Sequence, residues 1–206
     1  MYKLRIKRLI DLLLSIAGII IISPLLGVLY LISLKEIGRP VFFMQERAGK
    51  NGKPFMMYKF RTMTNERDDQ GHLLPDELRT TKYGQLLRKL SVDELPQLIN
   101  IIKGDMSIIG PRPLPTHYQF YYDDFQMKRQ LVRPGIVGLA SVRGRNNQSW
   151  DSKFANDIEY VNNCSFMLDM KIFSLAVITV FKHDNVTTEG YVSAEPFIRE
   201  GMRKKR

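Results

Sequence analysis

LLLSIAGIIIISPLLGVLYLISL, residues 12–34, is a run of 23 uncharged residues with Ser23-Pro24 at its middle. At about 1.5 Å of rise per residue it is long enough to cross a bilayer core. Its flanks argue against crossing. Lys3, Arg5, Lys7 and Arg8 precede it, and Lys35 and Arg39 follow it. Basic residues favour the cytoplasmic side, and one spanning helix cannot satisfy both ends. Pro24 has no N–H and its ring crowds the Ile20 carbonyl, which bends a helix. Ser23 can offer its hydroxyl to a freed carbonyl, which makes the bend tolerable in lipid. Residues 1–36 therefore read as a re-entrant membrane helix, broken at Ser23-Pro24, that enters and leaves on one side. A straight signal-anchor helix is the alternative. A cleaved signal peptide fits poorly, because the run is too long and no small-residue cleavage site follows it.

The remaining ~165 residues suffice for one domain with its own core, placed at 37–206. With 31 Lys and Arg against 21 Asp and Glu in 206 residues, the formal net charge is +10. Such an excess points to phosphate-bearing partners. Beside a membrane segment, anionic lipid headgroups explain it better than nucleic acid, at roughly 1 kcal/mol per basic residue. The terminal Arg203-Lys204-Lys205-Arg206 fits that reading. Cys164 is the only cysteine, so no internal disulfide forms. His72, His117 and His183 are scattered without ligand spacing, which argues against zinc.

Two aromatic-rich runs around Asn51-Gly52 predict a β-hairpin over 40–63, followed by a polar loop at 65–76. Tyr83, Leu86, Leu87 and Leu90 mark an amphipathic helix over about 80–90. Ser91 and Glu94 form an S-x-x-E capping box for a helix over about 92–103, stopped at Lys103-Gly104. Gly110-Pro111-Arg112-Pro113 reads as a rigid loop. Further helices are expected at about 116–130, 151–163 and 166–182, around a Gly- and Arg-punctuated stretch at 133–145. The last helix is apolar from Ile172 to Phe181 and reads as a core helix, with a place in the membrane interface as the alternative. The last ~20 residues are expected to be poorly ordered. The fold class is α+β, mainly helical, with the re-entrant helix, a small β-hairpin and several amphipathic interfacial helices.

Asp93 and Glu94 are adjacent acids behind Arg88-Lys89. One reading is structural, since acids in a first helical turn favour the macrodipole and Glu94 completes the box. The other is chemical: a carboxylate near cations that hold phosphate can bind Mg²⁺ or attack phosphorus. Arg112, locked between Pro111 and Pro113, reads either as a solvated arginine on a rigid surface turn or as a guanidinium presented in fixed geometry to a phosphate or a base edge. Arg143 and Arg145 flank Gly144 and suit anion contacts. Lys59 and Arg61 would face one side of the hairpin.

Gln45 to Gly52, Lys59-Phe60-Arg61-Thr62-Met63, Leu87-Arg88-Lys89, Ser91 to Gln97, Gly104 to Pro113 and Arg133 to Leu139 together resemble the bacterial sugar transferase family. These are the monotopic phosphoglycosyl transferases. In length the chain resembles the small PglC-type members, which prime protein glycosylation from UDP-diacetylbacillosamine. Val137-Gly138 departs from the Thr-Gly of many members. The resemblance implies transfer of sugar-1-phosphate from a UDP-sugar to polyprenyl (undecaprenyl) phosphate, with release of UMP. It implies Asp93 as nucleophile and Mg²⁺ ligand and Glu94 as its partner in a catalytic dyad. Lys59, Arg61, Arg88, Arg112 and Arg145 would meet substrate phosphates, with Pro111 and Pro113 near the nucleotide. It implies a place on the cytoplasmic face of the bacterial inner membrane, with membrane lipids as partners and no nucleic acid. The rivals are direct transfer with Asp93 only a metal ligand, and a non-catalytic basic adaptor tethered to the membrane.

Overall fold

The structure is a computed structural model and describes residues 2–144, 148–181 and 197. Arg145, His183, the terminal basic run and, Phe197 apart, the expected poorly ordered tail lie outside these residues. A π-helical turn over Tyr2–Ile6 leads into α1 (Lys7–Glu36), the one helix among the described residues long and apolar enough to cross a membrane. α1 carries Pro24 in its interior and is helical on both sides of it, so the expected break is not a gap in the helix. Local repair accounts for this. Ser23 Oγ donates to the Ile20 carbonyl at 2.8 Å, the acceptor that Pro24 leaves without a backbone donor.

Both ends of α1 are fastened to the same globular body. Near its start Asp11 and Ser15 are buried. Asp11 accepts from Ser107 Oγ at 2.7 Å and from the Ile108 N–H at 3.1 Å. Near its end Leu29 and Ser33 are buried, and the Ser33 and Tyr83 hydroxyls bond at 3.0 Å. Between them Ile20 and Ile21 are 67% and 76% exposed, so one side of the apolar middle is left uncovered by the described residues.

The expected hairpin forms from β1 (Phe42–Ala48) and β2 (Pro54–Phe60), with Phe43 opposite Lys59, Gln45 opposite Met57 and Arg47 opposite Phe55. At its turn Asn51 and Gly52 both have positive φ (57° and 73°), the pair that a type I′ turn demands. After a short α2 (Asp76–Arg79), α3 (Lys82–Lys89) is capped by the Thr81 hydroxyl. A Cβ on Gly84 would lie 1.9 Å from the Thr62 carbonyl, so glycine is what lets α3 close onto the end of the hairpin.

The helix expected over 92–103 is instead a 3-10 turn, Val92–Glu94, followed by α4 (Gln97–Lys103). The capping box does not form. Ser91 lies in the left-handed region (φ 55°) and makes no capping bond, whereas an N-cap needs extended backbone. Gly104 (φ 93°) ends α4 as expected.

β3 (Ser107–Ile109) pairs in parallel with a later strand, and the chain between them departs from the sequence reading. In place of one helix over 116–130 there are a 3-10 stretch (Thr116–Tyr121), α5 (Asp124–Met127) and a second 3-10 stretch (Lys128–Leu131). Asp123 forms a capping box with Gln126 and so starts a new helix where the old one would have continued. β4 (Gly135–Val137) then joins β3, and a Cβ on Gly135 would lie 2.1 Å from the Gly110 nitrogen. That close approach fixes where the 110–113 loop begins.

α6 (Leu139–Arg143), α7 (Trp150–Asn163) and α8 (Phe166–Phe181) follow. Ile109, Val132, Leu139, Tyr160, Val161 and Ile172 form one core cluster between them. α8 is only partly the core helix expected. Ile172 is fully buried, and buried Asp169 accepts from Lys7 at 2.6 Å and Tyr160 at 2.7 Å. Phe166, Met167, Met170, Phe173, Val177 and Ile178 face outward, so α8 has a second apolar face that the described residues leave uncovered.

Candidate active site

Four segments converge. β2 presents Lys59 on the hairpin face that also carries Phe43, Gln45 and Arg47, since antiparallel partners share a face. α3 presents Arg88 in its last turn. The left-handed kink at Ser91 reverses the chain, so that the following 3-10 turn carries Asp93 and Glu94 back toward β2. The fourth segment, Gly110–Pro113, presents Arg112.

Glu94 Oε1 accepts from Lys59 Nζ at 2.6 Å and from Arg112 Nη2 at 2.8 Å. Asp93 Oδ2 lies 3.9 Å from Lys59 Nζ, close enough to feel the charge without a tight bond. Asp93 is buried, whereas the Arg112 side chain is half exposed. The two acids are pushed apart in acidity. Burial raises the Asp93 pKa above the usual aspartate value and Glu94 adds to that, outweighing Lys59, Arg112 and Arg88. Burial acts on Glu94 in the same sense, but Arg112 and Lys59 overcome it and bring its pKa to about 2. The result is one committed, permanently ionised carboxylate and one more basic carboxylate beside it.

The 110–113 loop is held by its backbone. The Gly135 N–H donates to the Pro111 carbonyl at 2.9 Å. Buried Arg129 donates to the Arg112 carbonyl at 2.6 Å and holds Asp157 of α7 through Nε and Nη2 at 2.9 and 2.8 Å. Sequence reasoning missed this Arg129–Asp157 pair. Its members are 28 residues apart, with no local pattern to link them.

Of the residues named from sequence, Lys59, Arg88, Asp93, Glu94 and Arg112 come together, with Pro111 and Pro113 framing Arg112. Arg88 Nε donates to Thr62 Oγ1 at 2.9 Å, and Asp93 acts on its charge. Arg61 does not join them. β2 ends at Phe60, and the buried Arg61 guanidinium donates to the Ile37 carbonyl at 2.7 Å and the Arg39 carbonyl at 3.3 Å, bracing the exit of α1. Arg143 pairs with Glu159 of α7. Arg145 lies outside the described residues. Glu94 is likewise not the helix cap expected, because its carboxylate is spent on two cations.

Among the described residues no group of three or more His, Cys, Asp and Glu is placed to hold a metal alone. Mg²⁺ commonly takes one or two carboxylates and completes its shell with water and substrate phosphate. Asp93, with no short bond to a cation, suits that manner of binding.

The model of the family described as bacterial sugar transferase matches residues 2–183. The chain is 49% identical over 196 residues to the uncharacterized sugar transferase EpsL of Bacillus subtilis, covering 95% of this chain and 97% of that protein. It is 40% identical over 184 residues to a UDP-N-acetylgalactosamine-undecaprenyl-phosphate N-acetylgalactosaminephosphotransferase of Aeromonas hydrophila, covering 85% of this chain but 43% of that one. It is 35% identical over 189 residues to a UDP-glucose:undecaprenyl-phosphate glucose-1-phosphate transferase of Caulobacter vibrioides, covering 87% of this chain and 71% of that one. This chain belongs to the bacterial sugar transferase family.

Proposed function

We propose that the protein moves sugar-1-phosphate from a UDP-sugar to polyprenyl phosphate, undecaprenyl phosphate in the named relatives, and releases UMP. The observation that carries this is the unequal dyad: Glu94 tied to Lys59 and Arg112, and Asp93 more basic and free of short ion pairs. An Asp93 oxygen attacks the sugar-bearing phosphorus. The bond from that phosphorus to the oxygen bridging it to the α-phosphate breaks, and UMP departs with that oxygen. An oxygen of polyprenyl phosphate then attacks the same phosphorus and regenerates the Asp93 carboxylate. A lipid phosphate is already ionised, so the second step needs no general base. Arg112 and Lys59, positioned by Glu94, offset charge on the transferring phosphoryl oxygens, as does Arg88. Mg²⁺, held by Asp93 with substrate phosphate, would supply further neutralisation of the diphosphate.

The fastening of both ends of α1 to one body supports the re-entrant reading, with the exposed Ile20–Leu25 middle in one leaflet and the domain on the cytoplasmic face. Such a monotopic placement brings the dyad to the headgroup level, where the acceptor phosphate lies. The outward apolar residues of α8 suit the same interface. Cysteine labelling at positions 3 and 40 in intact cells tests it: protection of both is expected, and periplasmic labelling of position 3 sinks the re-entrant reading.

The donor is read as UDP-diacetylbacillosamine, as a first step in protein glycosylation, and the relatives named for UDP-N-acetylgalactosamine and UDP-glucose set the competing donors. The test is UMP release from each UDP-sugar, with and without polyprenyl phosphate and Mg²⁺. With stoichiometric enzyme and no acceptor, a burst of about one UMP per protein is expected, with sugar phosphate retained on the chain. Turnover with acceptor but no burst without it favours direct transfer. Absence of UMP release under every condition overturns the proposed reaction.

A further inference from the structure

Arg47 is a half-buried cation that the scheme above does not use. It sits on the hairpin face that presents Lys59, two residues beyond Gln45. Its guanidinium folds back along that face: Nη2 donates to Gln45 Oε1 at 2.6 Å, and Nη1 lies 3.4 Å from the Pro113 carbonyl. Nε is buried with no hydrogen-bond partner. Among the described residues no carboxylate lies within ion-pair distance of it. Burial, and then the neighbouring Arg112, bring its pKa down to about 10, which still leaves it charged at neutral pH. A buried guanidinium without an acid is an unfavourable thing to keep, unless its counter-charge arrives with a ligand.

The charges around the dyad say which ligand. Lys59 and Arg112 bond Glu94, and Arg47 feels both Arg112 and Glu94, so among these described residues three cations stand around the two acids Asp93 and Glu94. A nucleoside diphosphate sugar carries two negative charges at neutral pH. Lys59 and Arg112 are bonded to Glu94 beside the nucleophile, whereas Arg47 lies farther along the same face, behind Pro113. A donor whose sugar-bearing phosphorus meets Asp93 would extend its α-phosphate toward that position.

We propose that Arg47, oriented by Gln45, binds the α-phosphate of the nucleotide and stabilises UMP as the leaving group. This rests on the proposed reaction. As the bond between the phosphates breaks, the α-phosphate gains a negative charge, so a cation there interacts more strongly with the product and the transition state than with the donor. The charge excess at rest holds Arg47 and Arg112 against mutual repulsion, and nucleotide binding relieves it.

The test compares UMP with uridine, which lacks the phosphate, by calorimetry on the full chain in detergent. Arg47→Gln should weaken UMP about 10- to 100-fold while leaving uridine nearly unchanged. It should slow the UMP burst more than the transfer of sugar phosphate from the loaded protein to polyprenyl phosphate. Arg47→Lys, which keeps the charge, should retain most of the preference for UMP and guards against a Gln variant that does not fold. Equal weakening of UMP and uridine would make Arg47 a packing residue and overturn the assignment. A wild-type burst with unchanged UMP binding in Arg47→Gln would overturn it too, while leaving the proposed reaction standing.

Discussion

Two clusters of acids and cations lie within this one domain and behave as opposites. Arg129 and Asp157 are both about 5% exposed, joined through two guanidinium nitrogens, and balanced one against one. The dyad cluster carries more cations than acids, one of its arginines is half exposed, and its Asp93 has no tight partner. Burial keeps the Asp157 pKa above the ordinary value even with Arg129 alongside. The saturated pair fixes the backbone of the 110–113 loop. The unsaturated cluster, at the end of that loop, is left with charge to spend on a substrate. Exposure and imbalance, rather than the presence of ion pairs, separate the candidate site from its support.

Asp93→Asn should separate the two most sharply. Turnover should fall by about 10⁴-fold or more, as for loss of a nucleophile. The melting temperature should hold or rise, because a carboxylate that burial makes more basic is destabilising when ionised. A variant that loses stability as well as activity would merge the two clusters into one structural unit.

Arg129→Met should do the reverse. It leaves Asp157 buried without its cation and the Arg112 carbonyl without its donor, a loss of about 3–5 kcal/mol and roughly 10 °C in melting temperature for a domain of this size. Adding Asp157→Leu should recover most of the stability, since a buried pair replaced by apolar residues is often neutral. Activity should not return with it, because the Arg112 carbonyl stays unanchored.

Much of the frame was legible because periodicity announces it. The 23-residue apolar run and the amphipathic spacing of α3 each repeat a local rule several times, and Asn51-Gly52 is a turn signal in itself. β3 and β4 were not legible, since three-residue strands are too short to show alternation. The 92–103 stretch misled for a definite reason: S-x-x-E describes a cap only if Ser91 is extended, and here it is left-handed. A non-glycine residue in that region carries strain of order 1–3 kcal/mol, and the residues it aims are the dyad. Motif named the residues that come together at Lys59, Arg88, Asp93, Glu94 and Arg112, whereas Arg61 braces α1 and Arg145 lies outside the described residues. The sequence face Lys59, Gln45, Arg47 becomes visible only once the hairpin register is known.

Arg112→Lys sharpens the comparison on the active side. A single ammonium does not match a planar fork held between prolines, and the UMP burst should slow by about 10²-fold. An unchanged burst would return Arg112 to ordinary surface charge.

The smallest effect concerns acid. The Glu94 pKa, depressed to about 2 by Arg112 and Lys59, means that its ionised form favours the folded state. That stability is fully present above the ordinary glutamate value and is lost as pH falls toward 2. The gap in melting temperature between wild type and Glu94→Gln should therefore narrow across that window. A gap that does not change with pH would mean that Lys59 and Arg112 do not stabilise the ionised carboxylate.

The bonds from Ser107 and Ile108 to Asp11 join residues about 96 positions apart. On a ribosome, the apolar helix emerges well before the partners for its buried aspartate, which follow about 96 residues later. Until then a nascent chain holds an unpaired carboxylate at the edge of its most hydrophobic segment, which opposes deep insertion. α1 is thus made well before the residues that secure its buried aspartate, and its final seat waits on the folding of the chain that follows it.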